Sequence, residues 1–335
     1  MEKLESLERI LQLYHGYLNT DCIEVAVNLK IADMLADGPL RIDEISNRVN
    51  IDPDKMYRVM RYLSSQGVFK EGKDKEFSQT PLSEQLQANV AGTFHAYVDW
   101  ISSFNIEANH ISASALQDNE IPFNRAYGKP IFEYLAENPD VYAMAERGWL
   151  GLHGSGTDIL LDACSLTGAE TFADIGGGHG AVISQALNRY PDMRGILFDA
   201  PKAIDLVKSK LDGSVLADRC ELVSGDFFQE IPVEADCYFL RYILHDWNDE
   251  ECITILRNIV GSAKSDARVL IAEAIIGEPN RPHIGKIFDL IMLTYLSGKE
   301  RTLDEYRTLL DAAGIEYIGL TNTKYWNSIV EGRVR

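Results

Sequence analysis

From about residue 165 onward, short apolar runs alternate with amphipathic stretches. The runs are Thr171–Ile175, Gly195–Phe198, Glu221–Ser224, Cys237–Leu240 and Arg268–Ala272, and Ala181–Arg189 and Glu250–Ser262 lie among the stretches between them. Short apolar runs alternating with helical stretches at this spacing read as strands separated by helices. The fold class is therefore α/β, a doubly wound and mostly parallel sheet. Two further runs, Glu316–Thr321 and Ser328–Val334, flank a polar turn and predict a closing hairpin with an antiparallel member.

The first hundred residues have a different grammar. Leu4, Leu7, Leu11, Tyr14 and Leu18 recur at spacings of three and four, the seam of an amphipathic helix that docks on its own domain or on a second subunit. Ala26–Leu35 reads as one helix broken by Gly38-Pro39, and Ile42–Val49 as a second. Asp52 caps a third, with Pro53 at its first position, running to Gly67. Strands around Val68-Phe69 and Glu76-Phe77-Ser78 follow, joined by a polar turn. That order is the plan of a winged helix. Lys55, Arg58 and Arg61 on the third helix would face phosphates in a DNA reader, but Asp52 and Asp54 stand at the same helix start and the wing is of mixed sign. The expected division is a helical domain over residues 1–100 and a catalytic domain over 101–335, with a helical bridge over 101–165.

Charge narrows the partners. The 335 residues hold 51 acidic against 32 basic side chains, a net charge of −19, which repels nucleic acid and anionic lipid at long range. The opening MEKLESLERILQLYHGYL is charged every few residues, unlike a secretory signal. Five cysteines, irregularly spaced and without a CxxC, read as free thiols of a cytoplasmic protein.

The first strand closes on Asp174-Ile175-Gly176-Gly177-Gly178-His179-Gly180 and opens a helix, where glycines let a ligand approach the backbone. Gly176, Gly178 and Ala181 also fit the dinucleotide form G-x-G-x-x-A. The next strand ends in Asp199, placed to accept from ribose hydroxyls, and the third runs into Asp226-Phe227, an acid and a ring suited to adenine. Both NAD and S-adenosylmethionine present an adenosine. Asp174 beside the glycines suits the ammonium of S-adenosylmethionine better than a pyrophosphate.

The fourth strand leads into Leu244-His245-Asp246-Trp247-Asn248-Asp249-Glu250-Glu251-Cys252, the fifth ends in Glu273, and a later loop reads Gly298-Lys299-Glu300-Arg301-Thr302. With DIGGGHG at 174–180, FDAP at 198–201 and GDFF at 225–228, these motifs resemble the two-domain, class I S-adenosylmethionine-dependent O-methyltransferases. That family includes plant caffeate and hydroxyindole enzymes and bacterial enzymes acting on phenazines and polyketides. The resemblance implies a Rossmann-like catalytic domain, a dimerisation domain built as a winged helix, and a role in secondary metabolism. It implies His245 as general base flanked by Glu273 and Glu300. It implies cofactor contacts from Asp174, Gly176, Gly178, Asp199, Asp226 and Phe227, and from Arg241 where many members have lysine. Tyr142, His153, Met292 and Tyr295 fall near acceptor-pocket positions. No metal is implied.

The chemistry is consistent with those roles. A phenol with a pKa near about 10 needs a base at neutral pH, and a neutral imidazole is best poised to supply it. Other readings stand beside O-methylation: N- or C-methylation, a non-methylating reaction such as cyclisation or hydroxylation, a nucleotide-sensing DNA-binding regulator, and an NAD-dependent dehydrogenase.

Overall fold

The computed structural model describes residues 2–90, 92–211 and 217–335. The chain packs into two compact units, one of residues 1–104 with 138–155 and the other of 105–137 with 156–335. No helix among the described residues is long and apolar enough to cross a membrane.

In the first unit the leading helix spans Glu2–Tyr14 and a second spans Tyr17–Asn28, so Leu18 of the expected seam belongs to the second. The single helix expected over Ala26–Leu35 is interrupted. Lys30 adopts φ 53°, and a short turn, Ile31–Met34, follows it. Nothing in that apolar stretch announces a left-handed lysine. Ile42–Val49 is helical as expected, and Asp52 Oδ1 caps Pro53–Ser65 by accepting from the N–H groups of Asp54 and Lys55 at 3.1 and 3.2 Å. Three short strands, β1 (Leu40–Arg41), β2 (Lys70–Glu71) and β3 (Glu76–Ser78), pair in the order β1-β3-β2. The strand expected around Val68-Phe69 thus starts two residues later, and those two side chains are buried in the core instead.

The stretch expected to bridge the halves is divided between the units. Pro139–His153 packs on His95–Ser102 in the first unit, because Gly148 and Gly151 leave room for Trp100 and the Thr93 carbonyl, and Trp149 meets Trp100 edge-on at 5.2 Å. Residues 105–137 pack with the second unit.

The second unit is organised by a seven-stranded sheet of β4 (Thr171–Ile175), β5 (Arg194–Asp199), β6 (Cys220–Ser224), β7 (Cys237–Arg241), β8 (Arg268–Glu273), β9 (Ile315–Asn322) and β10 (Ser328–Val334). Its order is β6-β5-β4-β7-β8-β10-β9. The first five of these positions are parallel, and β10 runs antiparallel to both β8 and β9. Successive side chains enter opposite cores. Ala173, Tyr238, Leu240, Val269 and Ile271 join one apolar cluster, while Phe172, Cys237, Phe239, Leu270 and Ala272 join the other. Two buried faces explain why the strands read as continuous apolar runs. Strand order reverses at β4, so the crevice at the carboxyl ends of β4 and β5 is where such a sheet takes a ligand.

Candidate active site

Three glycines with positive φ, Gly176 (67°), Gly178 (53°) and Gly180 (76°), carry β4 into the helix Ala181–Arg189. A side chain on Gly176 would strike Ile243, and one on Gly177 would strike the Asp174 carboxylate, so the loop is held close to its neighbours. Asp199 fixes it from β5, its Oδ2 accepting from Gly178 N–H at 2.7 Å and its Oδ1 from Ala200 N–H at 2.6 Å. Asp174 is 1% exposed, and its Oδ2 has no hydrogen-bond partner among the described residues. Burial, with the nearby Asp199, pushes its carboxyl up to about 7, against the pull of Arg241. A buried acid with an orphaned oxygen beside a glycine cradle suits a cationic group.

The two expected adenine contacts follow the end of β6. The Asp226 side chain is exposed and accepts from the N–H of Phe228 at 2.9 Å. The Phe227 ring packs edge-on against Phe228 and Trp247, at 4.8 and 5.8 Å. Arg241 donates from Nη1 to the Thr157 hydroxyl at 2.8 Å.

His245 lies past the end of β7 and is 7% exposed. Its Nδ1 stands 2.7 Å from Glu300 Oε1, a charge-assisted hydrogen bond. Glu273, also expected to flank the ring, lies farther off, its Oε2 at 3.8 Å from Nδ1. The reason is local: Glu273 Oε1 accepts the N–H groups of Ile243 and Leu244 at 3.0 and 3.1 Å, bracing the turn that presents the histidine. On the other side of the ring Nε2 stands 3.3 Å from Asp246 Oδ1, a contact sequence reasoning missed although Asp246 lies inside the quoted motif. Burial disfavours the charged imidazole, but the carboxylates of Glu273, Asp246 and Glu300 outweigh it and hold His245 up at about 10. Burial likewise pushes Glu273 up to about 7 and Asp246 up to about 6. Nδ1 and one oxygen each of Glu273 and Glu300 lie within 4.8 Å of one another. Within this group the shorter contact to Nδ1 is that of Glu300.

Arg301, part of the quoted loop but given no role from the sequence, explains why the loop at 298–302 accompanies the histidine motif. Its fully buried guanidinium donates to the carbonyls of Leu244 and Trp247, both at 2.8 Å, and pairs with Asp249 at 2.7 Å. Gly298 lies against the backbone of His245, Asp246 and Trp247, where any side chain would collide.

Met292 and Tyr295 lie on the helix Ile284–Tyr295, both largely buried, and the Tyr295 hydroxyl donates to Asn109 Oδ1. Tyr142 and His153 lie on Pro139–His153, which belongs to the first unit.

A family model described as the O-methyltransferase domain matches residues 109–316, and one described as the O-methyltransferase dimerisation domain matches residues 11–89. The phenazine O-methyltransferase PhzM of Lysobacter antibioticus is 34% identical over 97% of this chain and 95% of its own. The mitomycin biosynthesis 6-O-methyltransferase of Streptomyces lavendulae is 30% identical over 92% of this chain and 88% of its own. Among solved structures, CalO1, a methyltransferase of calicheamicin biosynthesis in its SAH-bound form, superposes with a TM-score of 0.90 at 29% identity, over 100% of both chains.

Proposed function

The chain belongs to the O-methyltransferase family, and from that premise we propose that it moves a methyl group from S-adenosylmethionine to a hydroxyl of a small aromatic or polyketide-type metabolite, with His245 as general base. The observation that carries this reading is the joining of two loops. His245 is two residues from Ile243, whose side chain lies against Gly176 of the cofactor loop, and its Nδ1 is held by Glu300.

When bound, S-adenosylmethionine supplies an electrophilic methyl on a sulfonium. Asp174 would meet the ammonium, Gly176 and Gly178 would admit the amino-acid end, and Asp199 keeps lone pairs that would accept from ribose hydroxyls. Asp226 and Phe227 would serve the adenine, and Arg241 favours the ionised form of Asp174. On the acceptor side, Met292 and Tyr295 contribute apolar surface. His245 takes the hydroxyl proton at Nε2, the nitrogen that Asp246 faces at 3.3 Å, while Glu300 retains the proton on Nδ1. Because the carboxylates hold the imidazole well above its ordinary pKa, turnover rises with pH into the alkaline range as the ring becomes neutral. Two copies pair through the first unit, whose element order is that of a winged helix used for pairing, and a cytoplasmic location accords with the free thiols.

The test is a pair of measurements on wild type and His245→Ala. Calorimetric titration with S-adenosylhomocysteine is expected to give one site per chain in both, with NAD as a silent control. Methyl transfer across a panel of phenolic acceptors is expected to fall about 10²–10⁴-fold in the variant. Full turnover by His245→Ala would remove the base, and NAD binding in place of S-adenosylhomocysteine would return the site to hydride chemistry.

A further inference from the structure

The turn between β9 and β10 is bound into the base from behind. Asn327 is 0% exposed and immediately precedes Ser328, which pairs with Glu273 across the β8–β10 ladder. Its Nδ2 donates to the carbonyl of Ala272, the residue before Glu273, at 3.1 Å. Its Oδ1 accepts from the hydroxyl of Tyr242, three residues before His245. One amide thus grips the strand end carrying Glu273 and the strand end that leads to His245.

Tyr242 needs such a hold. Its φ is 56°, a left-handed conformation that a bulky side chain rarely adopts. The backbone turns there so that the chain leaves β7 and offers Ile243 and Leu244 N–H to Glu273 and the imidazole to Glu300. Trp326 Nε1 donates to the same hydroxyl at 2.5 Å, and the Tyr242 and His245 rings lie 5.4 Å apart. The turn that brings these groups is itself closed: Thr323 Oγ1 donates to the Asn327 carbonyl at 2.6 Å and accepts from Tyr325 N–H at 2.9 Å.

We propose that Asn327, Tyr242 and Trp326 form a positioning set for the His245 base, fixing the imidazole against Glu300 and Glu273 from the C-terminal hairpin. None of the three acts on substrate. They act through His245, which is otherwise faced by Glu273 from β8, Glu300 from the 298–302 loop and Asp246 beside it, with Arg301 holding the Leu244 carbonyl. The proposal rests on His245 being the base, but its test reads the imidazole and not turnover.

In full-length protein labelled with 15N at histidine, the Nδ1–H held by Glu300 is a low-field proton signal, assigned by its loss in His245→Ala. Asn327→Leu removes both amide bonds at similar volume, and Tyr242→Phe removes only the hydroxyl. Both are expected to shift or broaden the signal and displace its pH titration, while S-adenosylhomocysteine affinity stays that of wild type. If Asn327→Leu fails to fold, Tyr242→Phe decides by the same readout. A signal and titration that superpose on wild type in the folded variants overturn the proposal. That result would leave the role of His245 itself intact, since His245→Ala tests it separately.

Discussion

Glu273, Asp246, Asp174 and His245 all bind protons more tightly in the folded chain than outside it. The three acids are held up at about 7, about 6 and about 7, and the histidine at about 10. Between the ordinary carboxylate range and neutrality the folded state keeps protons that the unfolded state has released. The stability these acids supply is therefore complete below about pH 4 and lost as pH rises through about 6 to 7. His245 has the same sign, its contribution complete below about 6.5 and lost as pH climbs toward about 10. The thermal midpoint should fall by several degrees between pH 6 and pH 9, and Glu273→Gln should flatten that slope; a midpoint level across the range in wild type would contradict these proton affinities. At this scale His245, Glu273 and Glu300 came forward only through the family resemblance carried by the motifs around them, because residue type and position alone do not name a base. The roles of Asp246 and Asn327 were not, because a contact to Nε2 and a grip on two strand ends exist only once the chain is folded.

The central strands β4, β5, β7 and β8 were the most readable elements, since both faces of the sheet are buried there and their runs are largely apolar. Ser328–Val334 coincides with the expected run, and Thr171–Ile175 does too. The helix over Ala26–Leu35 failed for the converse reason: Lys30 turns left-handed inside a stretch with no glycine or proline to mark it. The 298–302 loop was legible as a motif but not as a brace. Arg301 holds the carbonyls of Leu244 and Trp247 with one planar fork, a geometry lysine cannot copy. Arg301→Lys should destabilise the protein by about 1.5–3 kcal/mol, the worth of a hydrogen bond to a charged group, seen as a lower urea midpoint. An unchanged midpoint would mean the loop is held by Gly298 and its backbone neighbours alone.

At the scale of the whole molecule, the leading helix bears apolar side chains that its own chain leaves in water. Leu7 is 58% exposed and Leu11 57%, with Leu4, Ile10 and Tyr14 on the same short helix exposed as well. The unit that carries this helix is matched over residues 11–89 by a dimerisation model, and an exposed apolar patch beside that match is the expected place for a second copy to pair. Leu7→Glu combined with Leu11→Glu should yield a monomer by sedimentation velocity, and a dimer that survives both changes would move the interface off this helix. The placement of β10 has another consequence, in time. Asn327 and the Ala272 carbonyl it grips are 55 positions apart, so at about 5–20 residues per second a ribosome leaves that grip unmade for roughly 3–11 s after Ala272 is joined. A nascent chain in that interval already carries the glycine loop, His245 and Glu273, but not the hairpin that steadies them. Stalled products cut short before residue 327 would carry Tyr242 and Ala272 without the amide that joins them.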